Sequence, residues 1–281
     1  MRKFSQDQSA SDTRTVVAKT IRDDRRLGLL TLLLSSRVWL HLGWRDLRIQ
    51  YGRSRLGPLW SIATLSVSIL GLVLAQGVLV GEINFSTAAP KLAVALWIWY
   101  FASSVINDST LLFESERRSL LNSPIGETIF VAKLLWKHLI VFLLAAPVVI
   151  LLLVLTEAFK PLALFAVILM MVVLSLSLVL PLLLLARTSM IWPDIRGVVA
   201  PSVQMLFFFS PIIWRPNPEI RISRLVVDFN PIAWVILSSQ DALTASVSTT
   251  NFLPRILALV VLLIFASALL LPRLPSIKNR M

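Results

Sequence analysis

The chain has no cysteine among its 281 residues. That excludes disulfides, thiolate catalysis and cysteine-ligated metals. Histidine is almost as scarce. Its two copies, His41 and His138, stand in different segments, which argues against a histidine metal pair. No G-x-x-x-x-G-K-[ST] loop occurs, so no Walker-type nucleotide site is encoded. No G-x-S-x-G nucleophile elbow occurs either. Charged residues make up only 15%, against about a quarter in an ordinary soluble domain. What fills the gap is apolar: 57% of residues are hydrophobic and the mean hydropathy is +0.81. A soluble fold would have too little polar surface to cover its outside. The composition predicts an all-α multi-pass membrane protein. It makes a disordered tail, a nucleic-acid-binding domain or a secreted disulfide scaffold a poor account of the main body. The net charge of +12 would point to nucleic acid in a soluble protein. In a membrane protein its placement matters more than its size.

A helix crossing the hydrocarbon core needs about 20 largely apolar residues. Six stretches qualify: Leu59 to Val80, Leu92 to Phe113, Leu139 to Leu155 (interrupted by Pro147), Leu162 to Ala186 (with Pro181), Val198 to Ile213, and Arg255 to Leu271. The fifth is short and bracketed by Pro201 and Pro211. Such prolines are tolerated where neighbouring helices satisfy the freed backbone groups. Lys and Arg counts at the span ends set the orientation. With the N-terminus inside, segments 1–58, 114–138, 187–197 and 272–281 hold 21 basic residues. The outside segments 81–91, 156–161 and 214–255 hold 6. An even number of spans puts both termini on one face, so the expectation is N-in, C-in. The first 26 residues are polar and charged, unlike a cleavable signal peptide. Residues 1–34 are expected to be a cytosolic N-terminal extension, and 35–281 the transmembrane domain.

Ser35 to Arg55 carries too much charge to cross. Leu40, Trp44, Leu47 and Tyr51 nonetheless recur at helical spacing, with His41, Arg45 and Arg48 one position later. Ser36 and Arg37 could open this helix; Gly52 and Gly57-Pro58 would loosen or end it. The pattern reads as an amphipathic helix in the cytosolic interface, with Trp44 at headgroup depth and Arg heads on phosphates. It also fits an ordinary juxtamembrane anchor. Asp108 is the one acidic residue inside a span. It reads as a helix-end residue that reaches the interface or pairs with a cytosolic Arg, rather than as an ion relay. The chain thus encodes no obvious energy source of its own.

The run RDLRIQYGRSRLGPLW from Arg45 resembles the signature at the first span of ABC-2 type permeases of the polysaccharide exporter family. Arg45, Asp46, Leu47, Tyr51, Ser54, Leu56, Gly57, Pro58 and Trp60 match, and Gln50 replaces a usual basic residue. AVALWIWYFASSVINDS from Ala93 looks like the family's second span. SPIIW at Ser210 to Trp214 looks like its end of span five, and NPIAW at Asn230 to Trp234 like the N-P motif of its last external loop. Two departures blur the subfamily. Pro193-Asp194-Ile195, followed by Arg196, stands where an R-D-[IV] triplet is common, and Gln240 stands where an Arg is common.

The resemblance implies a homodimer joined to two copies of a separate ATPase, which would hold ATP and Mg while this chain binds no cofactor. It implies export of a lipid-linked glycan, often an O-antigen, across the bacterial inner membrane. The segment after span two would be the coupling helix that docks on the ATPase, using Glu114, Glu116, Arg117, Arg118, Leu120 and Leu121 up to Pro124. Mixed charge around apolar residues suits a partner cleft, though a plain cytosolic loop has the same composition. The interfacial helix would be the gate helix. Its Arg45, Arg48, Arg53 and Arg55, with Tyr51 among them, could meet a lipid diphosphate, since guanidinium binds phosphate oxygens bidentately. Anionic lipid headgroups are the alternative target. Aromatic faces can stack on sugar rings, which makes Trp97, Trp99, Tyr100, Phe101, Phe207, Phe208 and Phe209 channel candidates. Neighbouring residues point all round a helix, so at most two of the first four are expected to face a channel. Lipid-facing aromatics are the bland reading. Pro231 to Leu243, too short to span, is expected to form a re-entrant helix near the external gate. An ABC-2 exporter of another cargo, such as teichoic acid, capsular glycan or a drug, is the nearest rival. A membrane-embedded transferase would need paired acids or a His at the interface, which the sequence does not offer.

Overall fold

The computed structural model describes residues 36–52, 54–57, 59–80, 85–122, 126–217 and 219–244, with Leu257, Val260, Val261 and Phe265. Residues 1–34, Arg53, Pro58, Pro124, Pro218 and the sixth expected span, apart from those four helical residues, lie outside them. Among the described residues every regular element is a helix. In chain order these are α1 (Ser36–Tyr51), α2 (Leu59–Val80), α3 (Phe85–Ser109), α4 (Leu112–Ser115), α5 (Arg117–Asn122), α6 (Glu127–Leu155), α7 (Pro161–Ile191), α8 (Ile195–Phe209), α9 (Arg221–Asp228) and α10 (Pro231–Thr244). Four of them, α2, α3, α6 and α7, are long and apolar enough to cross a membrane.

Several boundaries differ from the sequence expectation, each for a local reason. The second span is α3, which begins seven residues before Leu92 and stops at Ser109 rather than Phe113. Ser109 Oγ and Thr110 Oγ1 donate to the carbonyls of Ile106 and Asn107, both at 2.7 Å. Such local bonds compete with helix continuation. The third span is not broken: α6 runs from Glu127 straight through Pro147. Proline removes one backbone bond there, and helix persists on both sides. The fifth helix, α8, has 15 residues, about 22 Å of length against a hydrocarbon core of about 30 Å. It stops at Ser210, which is extended at φ −88°, ψ 139°, as a residue before proline prefers.

The hydrophobic centre is α3, whose apolar window is 72% buried against 22–39% in the other three. Ala89, Ala93, Ala95 and Ala102 are fully buried along it. Their small side chains let α2, α6, α7, α8 and α10 approach. Helices α6 and α7, of 29 and 31 residues, exceed the hydrocarbon thickness by about 13 Å or more. Their surplus turns lie at one end of the bundle and hold Glu127, Lys133, Lys137, His138 and Arg187, all engaged in ion pairs. At the other end α9 and α10 meet at 100°. The expected short helix from Pro231 is present as α10, and it packs between α3 and α7.

Candidate functional site

The charged end is built around α6. Trp39, Gly43 and Leu47 recur every four residues and form the face that α1 lays on it. The Trp39 and Trp136 rings meet edge to face at 6.0 Å. Gly43 permits the approach: a Cβ there would lie 2.8 Å from Trp136 Cδ1 and 3.1 Å from the Lys133 carbonyl oxygen. Trp44 lies to the side of this face and is half exposed.

Lys133, on the next turn of α6, is 3% exposed and bonds two carboxylates at once. Its Nζ lies 2.6 Å from Asp46 Oδ2 of α1 and 2.6 Å from Glu116 Oε1, in the bend between α4 and α5. Taking an ammonium out of water is costly unless its donors are satisfied. Here two are charge-assisted. One helical turn on, Asp108 at the foot of α3 accepts from Lys137 at 2.8 Å, and His138 Nε2 lies 3.0 Å from the same oxygen. Asp108 is therefore a helix-end residue held by Lys137 and His138 rather than by an arginine. A cavity of about 230 Å³ opens among Asp46, Asp108, Glu116, Lys133 and Lys137. Two more pairs close this end: Arg187 with Glu127 at 2.7 Å, joining α7 to α6, and Arg196 of α8 with Glu114.

The coupling candidates are thus divided. Glu114 and Glu116 are engaged inside the chain. Leu120 is fully buried in the core. Arg117, Arg118 and Leu121 are exposed, and Pro124 is outside the described residues. On the interfacial helix, Arg45 is mostly exposed and 3.9 Å from Asp46. Arg48 and Arg55 are exposed. Tyr51 instead turns inward, its hydroxyl 3.3 Å from Ser61 Oγ of α2. The rest of that motif shapes the entry to the first span. Ser54 Oγ accepts the Gly57 N–H at 3.1 Å, and Gly57 adopts φ +51°, a conformation natural to glycine.

The aromatic candidates separate by helix face. Trp97, Tyr100 and Phe101, spaced i, i+3 and i+4, line one cavity of about 220 Å³ with Trp60, Ser61, Thr64, Ser104, His138 and Phe142. Three of the four line this cavity, because that spacing is one side of a helix. Trp97 is fixed there. Its ring stacks on Phe142 at 3.9 Å and its Nε1 donates to the Phe142 carbonyl at 2.7 Å. Tyr100 bonds Ser68 Oγ of α2 at 2.6 Å. Trp99 points the other way, onto Phe207 at 5.5 Å. Phe208 and Phe209 are exposed on the outside of α8.

At the far end, the SPIIW and NPIAW segments meet. Asn230 Nδ2 donates to Ser210 Oγ at 3.0 Å, in full burial. Asn230 Oδ1 accepts from Ile232 N at 3.0 Å and Ala233 N at 3.2 Å, capping α10. Trp234 Nε1 donates to the Val227 carbonyl across the bend. Gln76 of α2 donates to the Ile213 carbonyl, and Gln240 occupies its position by donating to the Lys91 carbonyl.

Sequence reasoning missed Lys133, Trp136, Phe142 and Arg196. A signal existed for Lys133: a cation within an apolar helix asks for a partner as much as Asp108 does. Among the described residues no three His, Asp or Glu side chains converge as a metal site. No family model matches the chain, and no curated protein matches it.

Proposed function

We propose that the chain is the transmembrane permease subunit of an ATP-driven ABC exporter that moves a lipid-linked polysaccharide across the bacterial inner membrane. In this reading it works as a homodimer with two copies of a separate ATPase. The observation that supports the reading best is the placement of α1. The start of the RDL…W motif, Arg45 to Tyr51, is the last part of the amphipathic helix α1 that precedes the first span, and α1 packs beside the bend α4–α5 between the second and third spans. That is where an exporter's interfacial gate helix and its ATPase-docking segment would need to meet. In the proposed topology α2, α3, α6 and α7 cross, α8 and the stretch Arg255 to Leu271 make up six spans, and both termini are cytosolic. The gathering of Arg45, Lys133, Lys137, Arg187 and Arg196 at one end supports that end being the cytosolic one. The exposed arginines Arg45, Arg48 and Arg55 suit the diphosphate of a lipid carrier. The cavity behind Trp97, Tyr100 and Phe101 offers aromatic faces and hydroxyls, the chemistry sugar rings stack on.

The test is copurification with an ATPase and export in proteoliposomes. Docking is probed with Arg118→Glu and Leu121→Arg, which are exposed at the bend, because Glu116 variants would also strand Lys133. Loss of ATPase binding with an intact fold is expected. A chain that transports on its own, with no ATPase bound, would sink the exporter reading.

A further inference from the structure

We infer that Lys133 is a positioning residue: its buried ammonium locks the interfacial helix α1 to the α4–α5 bend, so that the two move as one body on α6. Helix α1 rests on α6 through Trp39, Gly43 and Leu47, and the bend is seated by Leu112, Phe113 and Leu120; the shared cation is what ties the two to each other. Helix α5 is six residues long and α4 is four, too short to be stable by themselves. Helix α1 precedes the bundle and touches it mainly through α6. Asp46 approaches from α1 and Glu116 from the bend, both at 2.6 Å, on a lysine that is 3% exposed. Asp46 has a second cation at 3.9 Å, Arg45, but that side chain is 57% exposed and such a pair contributes little. The fixed position of Lys133 comes from its helix: its ammonium lies 5.8 Å from the Phe130 ring one turn below, and Trp136 packs one turn above against Gly43. The bend is also tied to α8 through Glu114 and Arg196. A displacement of the bend would thus reach α1 on one side and α8 on the other.

The importance of this lock for transport rests on the permease reading; the lock itself can be tested without it. The chain has no cysteine, so spin labels can be placed without removing native thiols. Arg48→Cys on α1 and Leu121→Cys on α5, both exposed, report the α1–bend distance. Leu70→Cys and Leu169→Cys, on α2 and α7, report the bundle. Labelled chain in nanodiscs is diluted with unlabelled chain, so only distances within one molecule are read. A single narrow α1–bend distance is expected. Lys133→Met leaves two carboxylates facing each other and should lose that narrow distance. The neutral combination Asp46→Asn, Glu116→Gln, Lys133→Met removes the stranded charges. It should keep the α2–α7 distance and the melting temperature closer to the parent, while the narrow α1–bend distance is still lost. If the neutral combination keeps the narrow distance, packing at Gly43 and Trp136 positions α1 and the inference is overturned. A parent chain with no defined α1–bend distance overturns it as well. If Lys133→Met fails to fold, as the α2–α7 pair would reveal, the neutral combination decides alone. With an ATPase present, the parent chain should export and the neutral combination should export less. Failure to bind any ATPase would instead count against the permease reading and leave the distance result standing.

Discussion

Replacing Asn230 by alanine should loosen the start of α10 and separate it from the end of α8. Asn230 is 6% exposed and uses both halves of its amide. Its Oδ1 caps α10 through Ile232 N and Ala233 N, and its Nδ2 reaches Ser210 Oγ. Losing the cap costs about 1 kcal/mol, and losing a buried neutral hydrogen bond costs about another 1 kcal/mol. Ser210 Oγ keeps its bond to the Leu206 carbonyl at 2.9 Å, so no fully orphaned group adds to this. A local opening made easier by about 2 kcal/mol exchanges its amides roughly 30-fold faster. Hydrogen exchange followed on peptides spanning residues 230–244 in nanodiscs reads this directly. Asn230→Asp separates the two roles, because it keeps the cap acceptor and loses the donor to Ser210. It also places a carboxylate in a buried site, so it should be worse than alanine unless that group is protonated. Ser210→Ala should speed exchange less than Asn230→Ala, since the cap survives. Unchanged exchange at Ile232 and Ala233 in Asn230→Ala would refute the reasoning, because those amides have no other cap.

Trp97→Ala should lower the unfolding temperature strongly, with a loss of about 3–5 kcal/mol for a buried aromatic. Trp97→Phe should lose only about 1 kcal/mol with the indole bond to the Phe142 carbonyl; thermal unfolding in detergent compares the two. Gly43→Ala gains about 1 kcal/mol of helix propensity and forces its Cβ to 2.8 Å from Trp136. Overpacking at about 1–3 kcal/mol should win, seen as faster proteolysis of α1 than in the exposed-site control Arg48→Ala. Glu127→Gln strands Arg187, whose side chain is 13% exposed, and should destabilise by about 3 kcal/mol or more. Pairing it with Arg187→Met should recover much of the loss in the same unfolding assay.

The apolar stretches at Leu59 to Val80 and Leu162 to Ala186 place α2 and α7 to within a few residues, because hydropathy over about 20 residues is a local property. The ends are less legible. Hydropathy marks where uninterrupted apolar sequence stops, whereas α6 continues for twelve more residues to Glu127, past Lys133, Lys137 and His138. The amphipathic spacing around Leu40 to Tyr51 gives α1 but rotates its buried face. Trp39 and Gly43 are the inner residues, and Trp44 is outside. A glycine adds nothing to an apolar stripe, and only the approaching Trp136 makes it part of a contact surface.

The residues alone determine a chain of membrane-type composition with no thiol and no Walker loop, because composition needs no partner to be read. They also determine that an amphipathic helix precedes the first span, since periodicity is a property of consecutive residues. Tertiary structure alone decides which charges neutralise one another and which aromatics share a cavity. Asp46, Glu116 and Lys133 come from three separate elements. Gln76 meets the Ile213 carbonyl across 137 residues. A buried ion must find its partner wherever helix packing brings one, and that packing is set by close contact along α3 rather than by any pattern within a single helix.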